Sequence, residues 1–268
     1  MLRHIAIAAL IASTSGILAQ APSQPPSPRP KFDAFEVATI KPVEPADKTP
    51  QYITMQGPHR FVEKYYTLKL LIAAAYDLNP KTISGGPSWI DSNRYDILAL
   101  TPGDVRPTRD EQMSMLRNLL TDRFKLAFHR EQKEFSIFEL QVAKNGPKLK
   151  KSTAAPDDPA ALISTVYPQR ILLPARNTTM GEFTSLLQRA VLDRPVVDKT
   201  GIIGKYDFDL TWAPDSSQFG GGVAAASPDA PSPPFFTAVQ QQLGLKLVAT
   251  RGPVDALVVD KAERPTDN

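Results

Sequence analysis

The stretches RYDILAL (94–100) and KYDFDLTW (205–212) constrain this chain more than any other feature, because each sits in the same order of surrounding patterns. A helical pattern and a glycine-bearing turn precede each, ISGGPSW (83–89) in one case and KTGIIGK (199–205) in the other. A second helical pattern and a pair of alternating stretches follow each: LLTDRFKLAF answers QQLGLKLVA, and FSIFELQVAK answers VDALVVDK. The offset is 111 residues from Tyr95 to Tyr206 and 121 from Phe124 to Leu245. The ten extra residues fall in SSQFGGGVAAASPDAPSPP, as an insertion in a surface loop should. This self-similarity predicts an α+β chain of two tandem duplicated small units, each about two helices packed on a short, mostly antiparallel sheet. Neither unit has the apolar stripes for a generous core of its own, so the two are expected to pack together.

The first unit is expected over 31–152, a connector over 153–177 and the second unit over 178–268, with a low-complexity loop at 214–234 too rich in Gly, Pro and Ala to pack. FDAFEVATIKP reads as a first strand with Phe35, Val37 and Thr39 on one side, stopped by Pro42. YTLKLLIAAAYDL spaces Leu68, Leu71, Ile72, Ala75 and Tyr76 as a helix. Thr108 with Glu111, and Thr179 with Glu182, are capping-box pairs that start two further helices. FFTAVQQQLGLKL is a fourth helix ended by Gly244. Two hairpins are expected: strands 124–130 and 135–142 about a charged turn, and LKLVAT with VDALVVD about RGP. The connector holds at most a short strand around ILLP.

MLRHIAIAALIASTSGILAQA has a basic start at Arg3, an apolar run from Ile5 to about Ala12 and small residues up to Ala19, the pattern of a secretory signal cleaved at Ala19-Gln20. Residues 20–30 then form a Pro-rich disordered leader. No later stretch reaches the roughly 20 apolar residues of a membrane helix. The mature protein is therefore expected in the periplasm or outside the cell, without disulfides, since there is no Cys. A net charge of +3, with no block of five like charges, argues against a nucleic-acid partner.

No motif here specifies a chemistry. His59 and His129 are isolated, and a zinc site would have to be completed by carboxylates. There is no G-x-S-x-G, and ISGGPSW lacks the Gly-Lys-Ser/Thr ending of a phosphate loop. No cofactor, metal ligand or catalytic residue is assigned. A carboxylate pair could hide among Asp91, Asp96, Asp198, Asp207 and Asp209, because its signature is a separation in space. The candidate interaction residues are Trp89, Arg94, Asp96, His129, Arg130, Lys205, Asp207 and Asp209, which cluster around the two Tyr-Asp strands and the charged turn. Asp207 and Asp209 share the polar face of their strand, while Trp212 and Trp89 either fill core space or stack on a partner.

FEVATIKP, ISGGPSWIDSNRYDI, LLTDRFKLAFHREQKEFSIFELQVAKNGPKLK, RPVVDKTGIIGKYDFDLTWAPD and FTAVQQQLGLKLVATRGPVDALVVDKAERPTDN, in that order, resemble the soil-associated acidobacterial family of secreted proteins. The resemblance covers most of residues 35–268 and implies a domain without an assigned function. In some members that domain is similar to a region attached to a BlaR1-like membrane metallopeptidase. This chain has no His-Glu-x-x-His, so protease activity does not carry over. More loosely, each half is similar to the short N-terminal module of secretins and TonB-dependent signalling receptors. The expectation is an exported, non-enzymatic binding module that contacts an envelope protein, peptide or glycan. A carboxylate-dependent hydrolase of an extracellular polymer and a signalling ectodomain related to sensor-metallopeptidases stand as alternatives.

Overall fold

A computed structural model of the chain describes residues 29–44, 51–155 and 158–266. The expected signal segment 1–19, and all but the last two residues of the 20–30 leader, lie outside them. The strands are β1 (Val37–Val43), β2 (Tyr52–Gln56), β3 (Arg60–Thr67), β4 (Ile83–Gly85), β5 (Arg94–Leu100), β6 (Ala127–Val142) and β7 (Lys150–Lys151). They continue as β8 (Ala161–Leu162), β9 (Thr165–Tyr167), β10 (Arg170–Thr178), β11 (Val196–Asp198), β12 (Tyr206–Trp212) and β13 (Leu245–Lys261). The α-helices are α1 (Leu68–Ala75), α2 (Arg109–Arg123), α3 (Met180–Leu186) and α4 (Phe235–Leu243). The fold is thus mixed α and β, with strands predominating.

The first sheet is antiparallel in the order β1-β5-β3-β2. Its inner face, including Ile40, Phe61, Tyr95 and Ile97, packs against Leu71 and Ile72 of α1 and Leu116 and Leu120 of α2. Helix α2 begins where the capping box placed it: Thr108 Oγ1 accepts the Glu111 N–H and Glu111 Oε2 accepts the Thr108 N–H. Such a cap contributes about 1 kcal/mol. Strand β1 corrects the expected face. Val37 is 59% exposed opposite Leu100, whereas Ile40 is buried opposite Ile97. Pro42 is within the strand and does not stop it, because β1 lies at the edge of the sheet. The β2–β3 hairpin had no expected counterpart.

The second sheet runs β7-β12-β10-β8, with β9 also paired to β10. Ile171, Leu173, Phe208, Leu210 and Trp212 face Phe183 of α3 and Phe235 and Val239 of α4. The connector is therefore far more ordered than expected, since its last eight residues, 170–177, lie in a central strand of this sheet. Pro174 suggested otherwise, but it sits between the stretches paired to β9 and to β8, where the ladder on that side is already interrupted. The second capping box also forms, with Thr179 Oγ1 accepting the Glu182 N–H. In the low-complexity loop, Gln218 is buried, and Phe219 and Val223 pack on the core, so its first part packs after all.

The two expected hairpins do not exist. β6 and β13 are each continuous and pair antiparallel along nearly their whole lengths, so near the centre of the ribbon residues 131–134 (EQKE) lie opposite 253–256 and residues 251–253 (RGP) opposite 134–136. Strand β11 joins one end of it, parallel to β6, and β4 joins the other, parallel to β13. Leu257 and Val259 of β13 consequently fill the first core, and Phe138 and Leu140 of β6 fill the second.

Candidate functional site

Strand β3 carries a bulge between Glu63 and Tyr66, and Tyr65 inside it has φ +65°. Its N–H donates to Asp96 Oδ1 at 3.0 Å and its carbonyl accepts from Arg94 Nη1 at 2.9 Å, while the Arg94 guanidinium stands 4.4 Å over the Tyr65 ring. Lys64 Nζ closes the arrangement on Asp96 Oδ2 at 2.6 Å. The aspartate contact of this clamp recurs in the second sheet, where β10 is irregular between Ala175 and Thr178 and Asn177 has φ +51°. The Asn177 N–H donates to Asp207 Oδ1 at 2.8 Å, and Arg176 pairs with Asp209 at 2.8 Å. The Asn177 N–H, and after it the Ser152 side chain, hold the Asp207 carboxyl below its ordinary value. The aspartates of both Tyr-Asp strands thus serve the backbone of a neighbouring strand.

The remaining candidates lie elsewhere. His129 meets Asp260 at 2.8 Å and Arg130 meets Asp255, both on the β6–β13 ribbon. Trp89 is half-buried against the first core under Arg264, and the Lys205 carbonyl accepts from the Ser152 N–H. The eight residues therefore belong to several places and do not converge. Trp212, by contrast, is fully buried, with Nε1 donating to Gln218 at 2.9 Å.

Two features escaped sequence reasoning. The first is a polar junction between the cores. Gln188, on a π-helical turn (Leu187–Val191) that extends α3, accepts at its carbonyl from Asn79 Nδ2 at 2.6 Å and donates from Nε2 to the Asp77 carbonyl at 2.5 Å. Arg109 pairs with Asp77 at 2.7 Å, and Arg189 Nε lies 3.7 Å from the same carboxylate. Beneath it, Glu63 is wholly buried; burial pushes its carboxyl from 4.5 up to about 9, opposed in part by the Tyr66 N–H it accepts.

The second feature is an open surface on α4. A helix that buries Phe235, Ala238 and Val239 must turn Phe236, Thr237, Gln240 and Gln241 outward, and these four line a hollow of about 230 Å³. Beside it, a second hollow of about 180 Å³ lies between Gln240 and Gln241 and the loop carrying Lys144, Asn145 and Lys148. Phe236 is 44% exposed and rests on Phe138 at 5.2 Å between centroids. The loop is fixed to the helix end: the Lys148 N–H donates to the Leu243 carbonyl at 2.8 Å and the Ala143 N–H to the Gly244 carbonyl at 2.9 Å. Gly244 permits this approach, since it has φ +66° and a Cβ there would fall 2.1 Å from the Gly146 oxygen. The sequence signals were the adjacent Phe235 and Phe236, only one of which a helix can bury, and four lysines within 144–151.

A family model described as a protein of unknown function, DUF3738, matches residues 69–262. The chain belongs to this DUF3738 family. The DUF3738 match begins on α1 and ends beyond β13, so it takes in the ribbon, the second bulge clamp and the α4 surface, and leaves β1 to β3 outside. No curated protein and no solved structure matches the chain. Among the described residues no group of three metal-ligating side chains gathers, and no helix is long and apolar enough to cross a membrane.

Proposed function

We propose that this DUF3738 chain is an exported, non-enzymatic binding module of the cell envelope or extracellular space, built from two duplicated α+β units. The observation that carries the binding role is the α4 surface, an exposed aromatic ring and uncommitted amides held on a hydrogen-bonded frame. Among the described residues, the side chains of Asn145, Gln240 and Gln241 make no hydrogen bond, so their donors and acceptors face solvent. Ligand sites of this type need few groups, provided they are rigidly placed. Export is supported by the basic, apolar and small-residue order of 1–19.

Duplication is supported by the repeated aspartate contact, by the N-caps Thr67 and Thr179, each one residue past the β3 or β10 irregularity, and by the reciprocal joining of β4 and β11 to the ribbon. It is also supported by left-handed residues at the ends of α2 and α4, Lys125 at φ +50° and Gly244 at φ +66°. Aligning those two gives an offset of 119 in place of 121. Asp96 and Asp207, which a paired-carboxylate mechanism would draw on, already accept backbone N–H groups.

The test is an immobilised mature chain, beginning at Gln20, challenged with envelope extract, peptidoglycan and soluble polysaccharides beside a Phe236→Ala variant. Retention that Phe236→Ala weakens supports the reading. Turnover of a defined polymer, with retention indifferent to Phe236→Ala, overturns it.

A further inference from the structure

We propose that the α4 surface binds an anionic polysaccharide, a polymer bearing a carboxylate or sulfate on regularly spaced sugar rings. The inference rests on the binding-module reading and names its ligand class. Lys144, Lys148, Lys150 and Lys151 all lie exposed within eight residues, and the loop that bears the first two is anchored at both ends to the terminus of α4. Among the described residues, Lys144, Lys148 and Lys151 enter no ion pair. Asp207, brought opposite Lys150 by the β7–β12 pairing, offsets the charge of that lysine, which leaves Lys144, Lys148 and Lys151 as the surplus. Among the described residues, no Asp or Glu lines either hollow. The surface therefore has a fixed positive surplus, and an anionic occupant complements it.

Charge alone does not choose among anions, and the neighbouring groups do. Three free amides side by side present both donors and acceptors, which matches hydroxyl groups, themselves both donors and acceptors. A single aromatic face at Phe236 suits the C–H face of one sugar ring. Single-stranded nucleic acid would call for several stacking platforms in succession. An acidic peptide would be read through a strand edge or an apolar groove. At this surface the frame is a helix, and its one large apolar group is the Phe236 ring.

The experiment is affinity electrophoresis of the mature chain in gels containing polygalacturonate, with dextran, poly-glutamate and duplex DNA as comparison matrices. Retardation by polygalacturonate is expected, weakening as salt rises through about 0.15 M. Lys144→Glu with Lys148→Glu should lower affinity by about tenfold or more, and Phe236→Ala by about threefold to tenfold. Lys41→Glu, on β1 of the first sheet, should leave it unchanged. Thermal melts of each variant separate lost binding from lost folding.

Equal retardation by poly-glutamate or DNA, or indifference to the paired lysine substitutions, overturns the inference. If polygalacturonate is ignored while a neutral glycan or an envelope protein is retained through Phe236, the anionic ligand falls and the binding-module reading stands. If Phe236→Ala alters no binding, both fall.

Discussion

Glu63 enters the first core from β3 with Oε1 accepting the Tyr66 N–H at 2.9 Å and, among the described residues, Oε2 meeting no donor. With its carboxyl at about 9, the folded chain carries a proton at neutral pH that the unfolded chain, titrating near 4.5, has lost. The folded state binds more protons throughout that interval, so the contribution of Glu63 to stability is greatest below pH 4.5 and falls as pH rises towards 9, by at most about 1.4 kcal/mol per unit. Glu63→Gln keeps the shape and removes the titration. It should be close to neutral at pH 4 and stabilising at pH 8, and urea melts across that range would show the slope flatten. Asp96 carries a different prediction: Asp96→Ala leaves the Tyr65 N–H without its acceptor and should cost about 1–3 kcal/mol in the same melts. Asp96→Asn, which keeps an acceptor, should cost less, and Asp207→Ala should move stability in the same direction. The repeat of Tyr and Asp was legible in the sequence, but this role was not. The left-handed residues are Tyr65 and Asn177, not glycines, and their partners lie some thirty residues further on.

Elements whose signals are local were read well. Two Thr-Glu pairs placed the starts of α2 and α3, and Gly244 placed the end of α4. The ribbon shows why others were not. EQKE and RGP each carry turn-like composition, yet both lie mid-strand near the centre of β6 and β13, meeting only at Glu134 and Pro253, and the pairing that runs on through both of them sets the conformation. Pro253 is tolerated because β11 and β4 reach only the ends of the ribbon, leaving it two-stranded there. At Gly244 the local signal and a long-range contact coincide. Gly244→Ala meets both a left-handed penalty of about 1–2 kcal/mol and the Gly146 oxygen, so it should cost more than an ordinary C-cap substitution and displace the loop bearing Lys144 and Lys148. A thermal melt together with amide-exchange rates at 143–148 would show both effects; an unchanged melt would mean that the loop does not need this approach.

At the scale of the molecule, two cores share one ribbon, and each is completed by the other half of the chain. A fragment ending at Ser152 lacks Leu257 and Val259, both buried in the first core, as well as the strand that pairs β4 and β6. A fragment beginning at Thr153 lacks Phe138 and Leu140 from the second core, together with the partner of β11. Losing one buried aliphatic side chain typically costs about 2–5 kcal/mol, and a domain's whole stability is about 5–15 kcal/mol. Neither fragment should then fold cooperatively alone, although the sequence placed a unit boundary between them. Each nevertheless keeps most of its own sheet, the second losing only β7, and both of its helices, and the junction of Asn79 with Gln188 and of Lys81 with Asp193 gives the pair further contacts to rebuild. Co-expressed, the two should form a one-to-one complex with a single melting transition, seen by size exclusion and circular dichroism. A cooperative melt from either fragment alone would show that its half folds independently and that the ribbon joins two finished domains.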